Sequence, residues 1–97
     1  MTVSDLCQDW LSKDKKDISP GTYDNYEDIM KSMVIGFKGY DLANKQIHCL
    51  TTDMLELYLR SLAEQYSKSS IDKAWSVVKQ SIEYGQKNGL VSKEIRG

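Results

Sequence analysis

One proline and six glycines in 97 residues are too few for an all-β chain, which has to turn every ~8–12 residues. A single histidine, His48, excludes histidine-pair metal motifs and leaves any catalytic triad with one candidate base. The two cysteines, Cys7 and Cys49, are too few and too far apart for a disulfide scaffold or a zinc site, so free thiols in a reducing cytoplasm are expected. Asn-x-Ser/Thr acceptors are absent. No run approaches the ~18 consecutive apolar residues of a membrane span. The opening MTVSDLCQDWLSKDKK carries charges where a signal peptide is apolar, so a soluble cytoplasmic chain with no membrane partner is expected. Charge of one sign is lacking too: 13 Lys/Arg face 14 Asp/Glu for a net charge of −1. The pI of 5.7 is far from the value above ~9 that marks indiscriminate nucleic-acid binders.

What is present suits one ordinary globular domain, residues 1–97, with 40% apolar and 28% charged residues, because ~100–200 residues is the usual domain size. The near-neutral total hides a polarity. Residues 1–59 hold six Lys/Arg against ten Asp/Glu, and residues 60–97 hold seven against four, so the halves carry −4 and +3. A basic C-terminal half can meet an acidic ligand locally, because fields are set by charges within a Debye length of ~8–10 Å.

Apolar spacing and caps predict helices over about 3–14, 20–34, 52–65 and 68–88. Thr2 caps the first, with Asp5 as the capping-box acid, and Leu6 and Trp10 lie on its apolar face. Ser19-Pro20 starts the second by an N-cap hydroxyl followed by a ring with helical φ; Tyr23, Tyr26, Met30 and Met33 share its inner face, with Asp24, Asn25, Asp28 and Lys31 outside. Residues 36–50 lose helical period, and Leu42, Ile47 and Leu50 are expected to tuck this segment against the core. Thr51 or Thr52 opens the third helix, whose stripe is Met54 or Leu55, Tyr58, Leu59 and Leu62. Ser67 caps the fourth, which runs unpunctuated to Asn88-Gly89 with Ile71, Trp75, Val78, Ile82 and Gly85 on its apolar face. The fold class is therefore all-α: four helices in two hairpins, separated by a connection long enough to let them cross at a steep angle.

No catalytic constellation can be built from these residues. His48 and Cys49 are adjacent, and in an extended loop they point apart. Gly36 and Gly39 lack the strand-turn-helix context of a phosphate-cradling loop. Asp24, Glu27 and Asp28 lie along a helix without the tight loop of a calcium site. Catalytic residues, metal ligands, cofactors and a small-molecule substrate are accordingly not expected. Trp10, Tyr23, Tyr26, Tyr58 and Trp75 fall on inward stripes as core, while Tyr66 and Tyr84 are candidate contact residues.

Four pieces in order carry a resemblance: TVSDLCQDWL; SPGTYDNY, with Thr22 and Tyr26 in a Thr-x-x-x-Tyr pattern; LTTDMLELYLRSL; and SKSSIDKAWSVVKQSIEYGQKNGLV, with Gly85 and Gly89-Leu90 at its end. Together, over about residues 2–91, they resemble the N-terminal core-binding (SAM-like) domain of phage-type integrases, the tyrosine recombinases. The resemblance implies a four-helix SAM-like domain that forms one jaw of a clamp on duplex DNA near the strand-exchange site, in a phage or mobile-element protein. It also implies that the catalytic domain follows, that this chain is not itself an enzyme, and that other recombinase protomers are partners. Two departures stand out: Asp24, Glu27 and Asp28 make the second helix acidic, and the turn after Gly89 lacks the family's Asn-Pro.

By the same resemblance Thr22 and Asn25 on the second helix, and Ser69, Ser70 and Lys73 on the fourth, occupy DNA-contacting positions, with Lys79 and Gln80 farther along. Elementary chemistry points to the same end of the fourth helix, where free amides, the positive end of the dipole, the hydroxyls of Ser67, Ser69 and Ser70, and the amines of Lys68 and Lys73 suit phosphate oxygens. The competing expectation, from the acidic pI and the aromatic content, is a helical protein-protein interaction domain with no nucleic-acid role.

Overall fold

The computed structural model describes residues 1–14 and 18–91; the connecting loop expected at 15–17 and the exit segment beyond Val91 lie outside them. The fold is all-α, with four helices and, among the described residues, no strand beyond one isolated antiparallel bridge between Thr2 and Gln46. Helix α1 spans Val3–Asp14. Its capping box is reciprocal: the Thr2 amide donates to Asp5 Oδ2 at 3.0 Å and the Asp5 amide to Thr2 Oγ1 at 3.2 Å, with aspartate in the place glutamate usually takes. The bond from the Thr2 amide, and then that from its hydroxyl, hold the Asp5 carboxyl below its ordinary pKa.

Helix α2 spans Pro20–Ile29 and continues as a π-helical segment, Met30–Ile35, where the sequence predicts one α-helix to residue 34. Side chains help account for the wider turn. Ser32 Oγ donates to the Asp28 carbonyl at 2.7 Å, the acceptor that the Ser32 amide would use in an α-helix. From the core side, buried Tyr58 Oη donates to the Met33 carbonyl at 2.7 Å. The Gly36 amide then closes on the Lys31 carbonyl at 2.8 Å, five residues back. Ile29 and Val34 join Met30 and Met33 in the core, while Tyr23 and Tyr26 are only half-buried.

Residues 36–50 pack as expected through Leu42, Ile47 and Leu50, and also through Phe37 and Ala43. They have a second task that periodicity does not reveal. The first-turn amides of α1, Val3 and Ser4, donate to the carbonyls of Lys45 and Ala43, each at 2.9 Å. A helix end that would otherwise leave orphan donors is thus satisfied by the loop backbone. A 3₁₀ turn, Ile47–Cys49, leads into α3, Thr52–Ala63, whose N-cap Thr51 accepts the Met54 amide at 3.3 Å. Leu55, Tyr58 and Leu62 are buried, with Met54 and Leu59 at the margin.

Helix α4, Lys68–Lys87, packs against every other helix and most extensively against α1. Its buried face is Ala74, Val77, Val78, Ser81, Ile82 and Gly85. That stripe is turned from the predicted one, because small residues face α1 while Ile71 and Trp75 sit half-buried at its edge. Gly85 marks the closest approach: a Cβ there would stand 2.6 Å from Val91 Cγ2 and 3.1 Å from Leu6 Cδ1. The helix stops in a Schellman motif, with Leu90 N donating to Gly85 O at 2.7 Å and Gly89 N to Gln86 O at 3.2 Å; Gly89 supplies the positive φ of 73°.

Two ionisable groups in this core resist deprotonation. Burial pushes the Cys7 thiol up to about 11, against a small opposing contribution from the Ser81 hydroxyl, and burial pushes the Tyr58 phenol well above its usual range. The unfolded thiol ionises first while the buried one keeps its proton, so the unfolded state binds fewer protons and stability falls as pH rises. Denaturation midpoints should hold up to about pH 8.5, the free thiol range, and decline towards pH 11 by up to ~1.4 kcal/mol per pH unit, with Tyr58 adding to the loss above about pH 10. Cys7→Ala should flatten the first part of that decline in urea titrations taken across the range.

Candidate nucleic-acid interface

The N-terminus of α4 is built differently from those of its neighbours. At α1, α2 and α3 a cap hydroxyl accepts a first-turn amide: Thr2 from Asp5, Ser19 from Thr22 at 3.3 Å and Thr51 from Met54. Ser67 has the extended backbone of an N-cap, and its carbonyl accepts the Ile71 amide at 3.0 Å. Its hydroxyl, against expectation, makes no capping bond and lies 3.4 Å from Ser70 Oγ. The amides of Lys68, Ser69 and Ser70, which an α-helix leaves without intrahelical partners, therefore face outward at the positive end of a 20-residue helix.

The candidate residues on this helix fall on two lines. At 100° per residue, Lys68 and Lys79 lie within ~20° of each other around the axis, and Lys73, Gln80 and Lys87 form a second line roughly a third of a turn away. All four lysines are exposed, and among the described residues none is held in an ion pair. Ser69 is exposed and Ser70 half-buried beside Ser67. Gln80 is half-buried, its Nε2 donating to the Ser76 carbonyl at 3.2 Å and hydroxyl at 3.1 Å, so its amide oxygen is the acceptor left for a ligand. Lys87 was not a candidate from the sequence; the seven-residue spacing from Lys73 through Gln80 is the signal that finds it.

The α2 candidates are differently placed. Thr22 is half-buried within the cap of its own helix, its Oγ1 accepting from Ser19 Oγ at 2.8 Å. Asn25 is exposed, but between Asp24 and Asp28, both exposed too. Glu27 is paired with Lys31 at 3.3 Å. Helix α2 packs against α4, so a basic and an acidic surface adjoin, and an approaching phosphate is drawn to α4 and repelled by α2.

The remaining candidates serve the fold. Tyr84 Oη donates to Asp9 Oδ2 at 2.7 Å, tying α4 to α1, and the Tyr66 ring packs 6.1 Å from Phe37. His48 and Cys49 occupy the 3₁₀ turn, not an extended loop, and both are exposed. Among the described residues no three His, Cys, Asp or Glu side chains gather to hold a metal, and no helix is long and apolar enough to cross a membrane. No family model matches the chain, and no curated protein or solved structure matches it, so a functional reading has to come from the residues themselves.

The missing cap bond has a measurable consequence. Ser19→Ala and Thr51→Ala should each cost ~1 kcal/mol by removing a made N-cap bond, whereas Ser67→Ala should change stability by less than ~0.5 kcal/mol. Thermal denaturation of the three variants checks the ranking.

Proposed function

We propose that this domain is the non-catalytic DNA-binding module of a site-specific tyrosine recombinase of a phage or mobile element, holding duplex DNA beside the site of strand exchange. The observation that carries the reading is the exposed arc of α4: four lysines that, among the described residues, no ion pair holds, set around Asp72 and Glu83 and rising from a helix N-terminus whose cap hydroxyl leaves the first amides free. The order of sequence pieces that resembles the recombinase core-binding domain supports it. In this reading Lys68, Ser69, Ser70 and Lys73 meet phosphate oxygens, Lys79, Gln80 and Lys87 extend the contact along α4, and Thr22 and Asn25 border it from α2. The domain positions the duplex. Breaking and rejoining strands belongs to a catalytic domain that follows it in the full-length protein, which works in the cytoplasm with other protomers on the same DNA.

Three or four phosphate contacts make affinity strongly salt-dependent, because each neutralised phosphate contributes about 0.9 to the slope of log K against log salt. Raising salt from about 50 to about 200 mM should weaken binding of a generic duplex by about 40- to 150-fold. Titration of ¹⁵N-labelled protein should shift amides of residues 20–28 and 67–80, and Lys73→Ala should weaken binding to all sequences alike while lowering the slope by about 0.9. The acidic face of α2 favours the alternative, a protein-interaction domain with no nucleic-acid role. Shifts that are absent, or scattered and indifferent to salt, would give the decision to that alternative.

A further inference from the structure

Gln80 stands midway along one basic line of α4, with Lys73 seven residues before it and Lys87 seven after. At 1.5 Å per residue each lysine is rooted about 10.5 Å from Gln80 along the axis, and the three lie within about 40° of one another around it. The major groove of B-DNA is about 12 Å wide, so a helix laid across it sets the two lysines over the flanking phosphates and the residue between them over the base edges. Gln80 is thus placed for bases and not for phosphates. Its side chain is half-buried on the wall of a recess of about 290 Å³ that Trp10, Glu83, Tyr84 and Lys87 also line.

That side chain is not free to choose its bonds. Gln80 Nε2 donates to the Ser76 carbonyl at 3.2 Å and to the Ser76 hydroxyl at 3.1 Å. A carbonyl only accepts, so the amide nitrogen has to face Ser76, and Oε1 is the end left over. A free glutamine offers a donor and an acceptor and pairs with adenine through both; here the donor is already engaged. The base edges sort under such a reader. Adenine N6 and cytosine N4 are donors in the major groove, whereas guanine O6 and N7 and thymine O4 are acceptors. Every base pair carries one of the two amino groups, so an acceptor alone does not tell A·T from G·C; it tells which strand holds the amino base. We propose that Gln80, held by Ser76, is a specificity-determining residue that accepts a hydrogen bond from adenine or cytosine and rejects guanine and thymine at one position of the duplex. The inference rests on the DNA reading of α4 and adds a base rule to it. Glu83, exposed one turn farther on, offers acceptors as well and has to be separated from Gln80 by experiment.

The test is selection from a pool of randomised duplexes at about 50 mM salt, with the bound fraction sequenced. The parent protein should enrich adenine and cytosine together over guanine and thymine at one position, by about three- to tenfold, the worth of one hydrogen bond. Gln80→Met, similar in length but without the amide, should lose that enrichment while the salt slope of pool binding stays unchanged, because no phosphate contact is removed. Glu83→Ala should keep it. Ser76→Ala frees the amide from one bond and should admit guanine and thymine, and Ser76→Thr, which returns a hydroxyl, should restore the discrimination; circular dichroism checks that each variant is folded. Salt-dependent duplex binding with no such position would overturn the inference and leave the DNA reading standing, as would enrichment that survives Gln80→Met, follows Glu83 or is indifferent to Ser76→Ala. No duplex binding at either 50 or 200 mM salt, about the range in which phosphate contacts show themselves, would overturn both.

Discussion

The close contact between α1 and α4 is the constraint on which the rest of this fold depends. Leu6 can lie over Gly85 only because no Cβ stands there, and Ala74 and Ser81 keep the same face of α4 narrow. Fully buried Cys7 meets that face near Ser81, whose hydroxyl is satisfied within its own helix by the Val77 carbonyl at 2.8 Å. Small residues along a helix bring backbones together and multiply weak dispersion contacts, which are individually ~0.1–0.2 kcal/mol and large only in sum. With α1 drawn in on one side and α2, the π segment and α3 packed around the others, α4 keeps a single outward arc. The charged side chains of a 20-residue helix are confined to that arc, which gathers its four lysines together with Asp72 and Glu83.

The π-helical segment is the other consequence of packing. Four α-helices around so small a core leave little slack, and the second half of α2 has to present Met30, Met33 and Val34 inward together. Met30, Met33 and Val34, spaced three and four apart, would share a face in an ordinary α-helix too; what marks the wide turn is the hydroxyl of Tyr58 donating to the carbonyl of Met33. The same widening ends at Ile35, which is left part-exposed at the mouth of an open groove between α1 and α2. Wide turns of this kind are uncommon and often lie at functional sites; here the turn ends on Ile35, whose apolar side chain is 41% exposed.

Helix boundaries were legible from the sequence because their signals are local. Thr2 with Asp5, Ser19 with Pro20, Thr51 and Asn88-Gly89 each act within a turn of themselves, and each stands where its chemistry predicts. The face of α4 was less legible. A pattern of large apolar residues points to Ile71 and Trp75, whereas the buried stripe is set by which side α1 can approach, and that depends on the absence of bulk at Ala74, Ser81 and Gly85. The π segment and the loop carbonyls that satisfy α1 were not legible, since both depend on partners 25 or more residues away in sequence. For the candidate interface, sequence identified the lysines and hydroxyls but not their division into two lines, nor the silence of the Ser67 hydroxyl as a cap. Charge and hydroxyl content are compositional; their arrangement is geometric.

The juxtaposition of acidic α2 and basic α4 bears on how a duplex can be held. A surface of one sign attracts DNA broadly and lets it slide, with contacts to phosphates that fix register only weakly. Here Asp24 and Asp28 stand beside the basic arc and penalise any pose that carries the phosphate backbone across α2, so that favourable approach is restricted to the edge along α4. Repulsion of this kind lowers affinity and narrows orientation at once. Under the proposed function, a module that positions DNA for chemistry performed elsewhere would gain more from a fixed orientation than from tight binding. Under the proposed DNA reading the acidic residues thus lower affinity and narrow orientation together; under the alternative they are a surface for a basic protein partner.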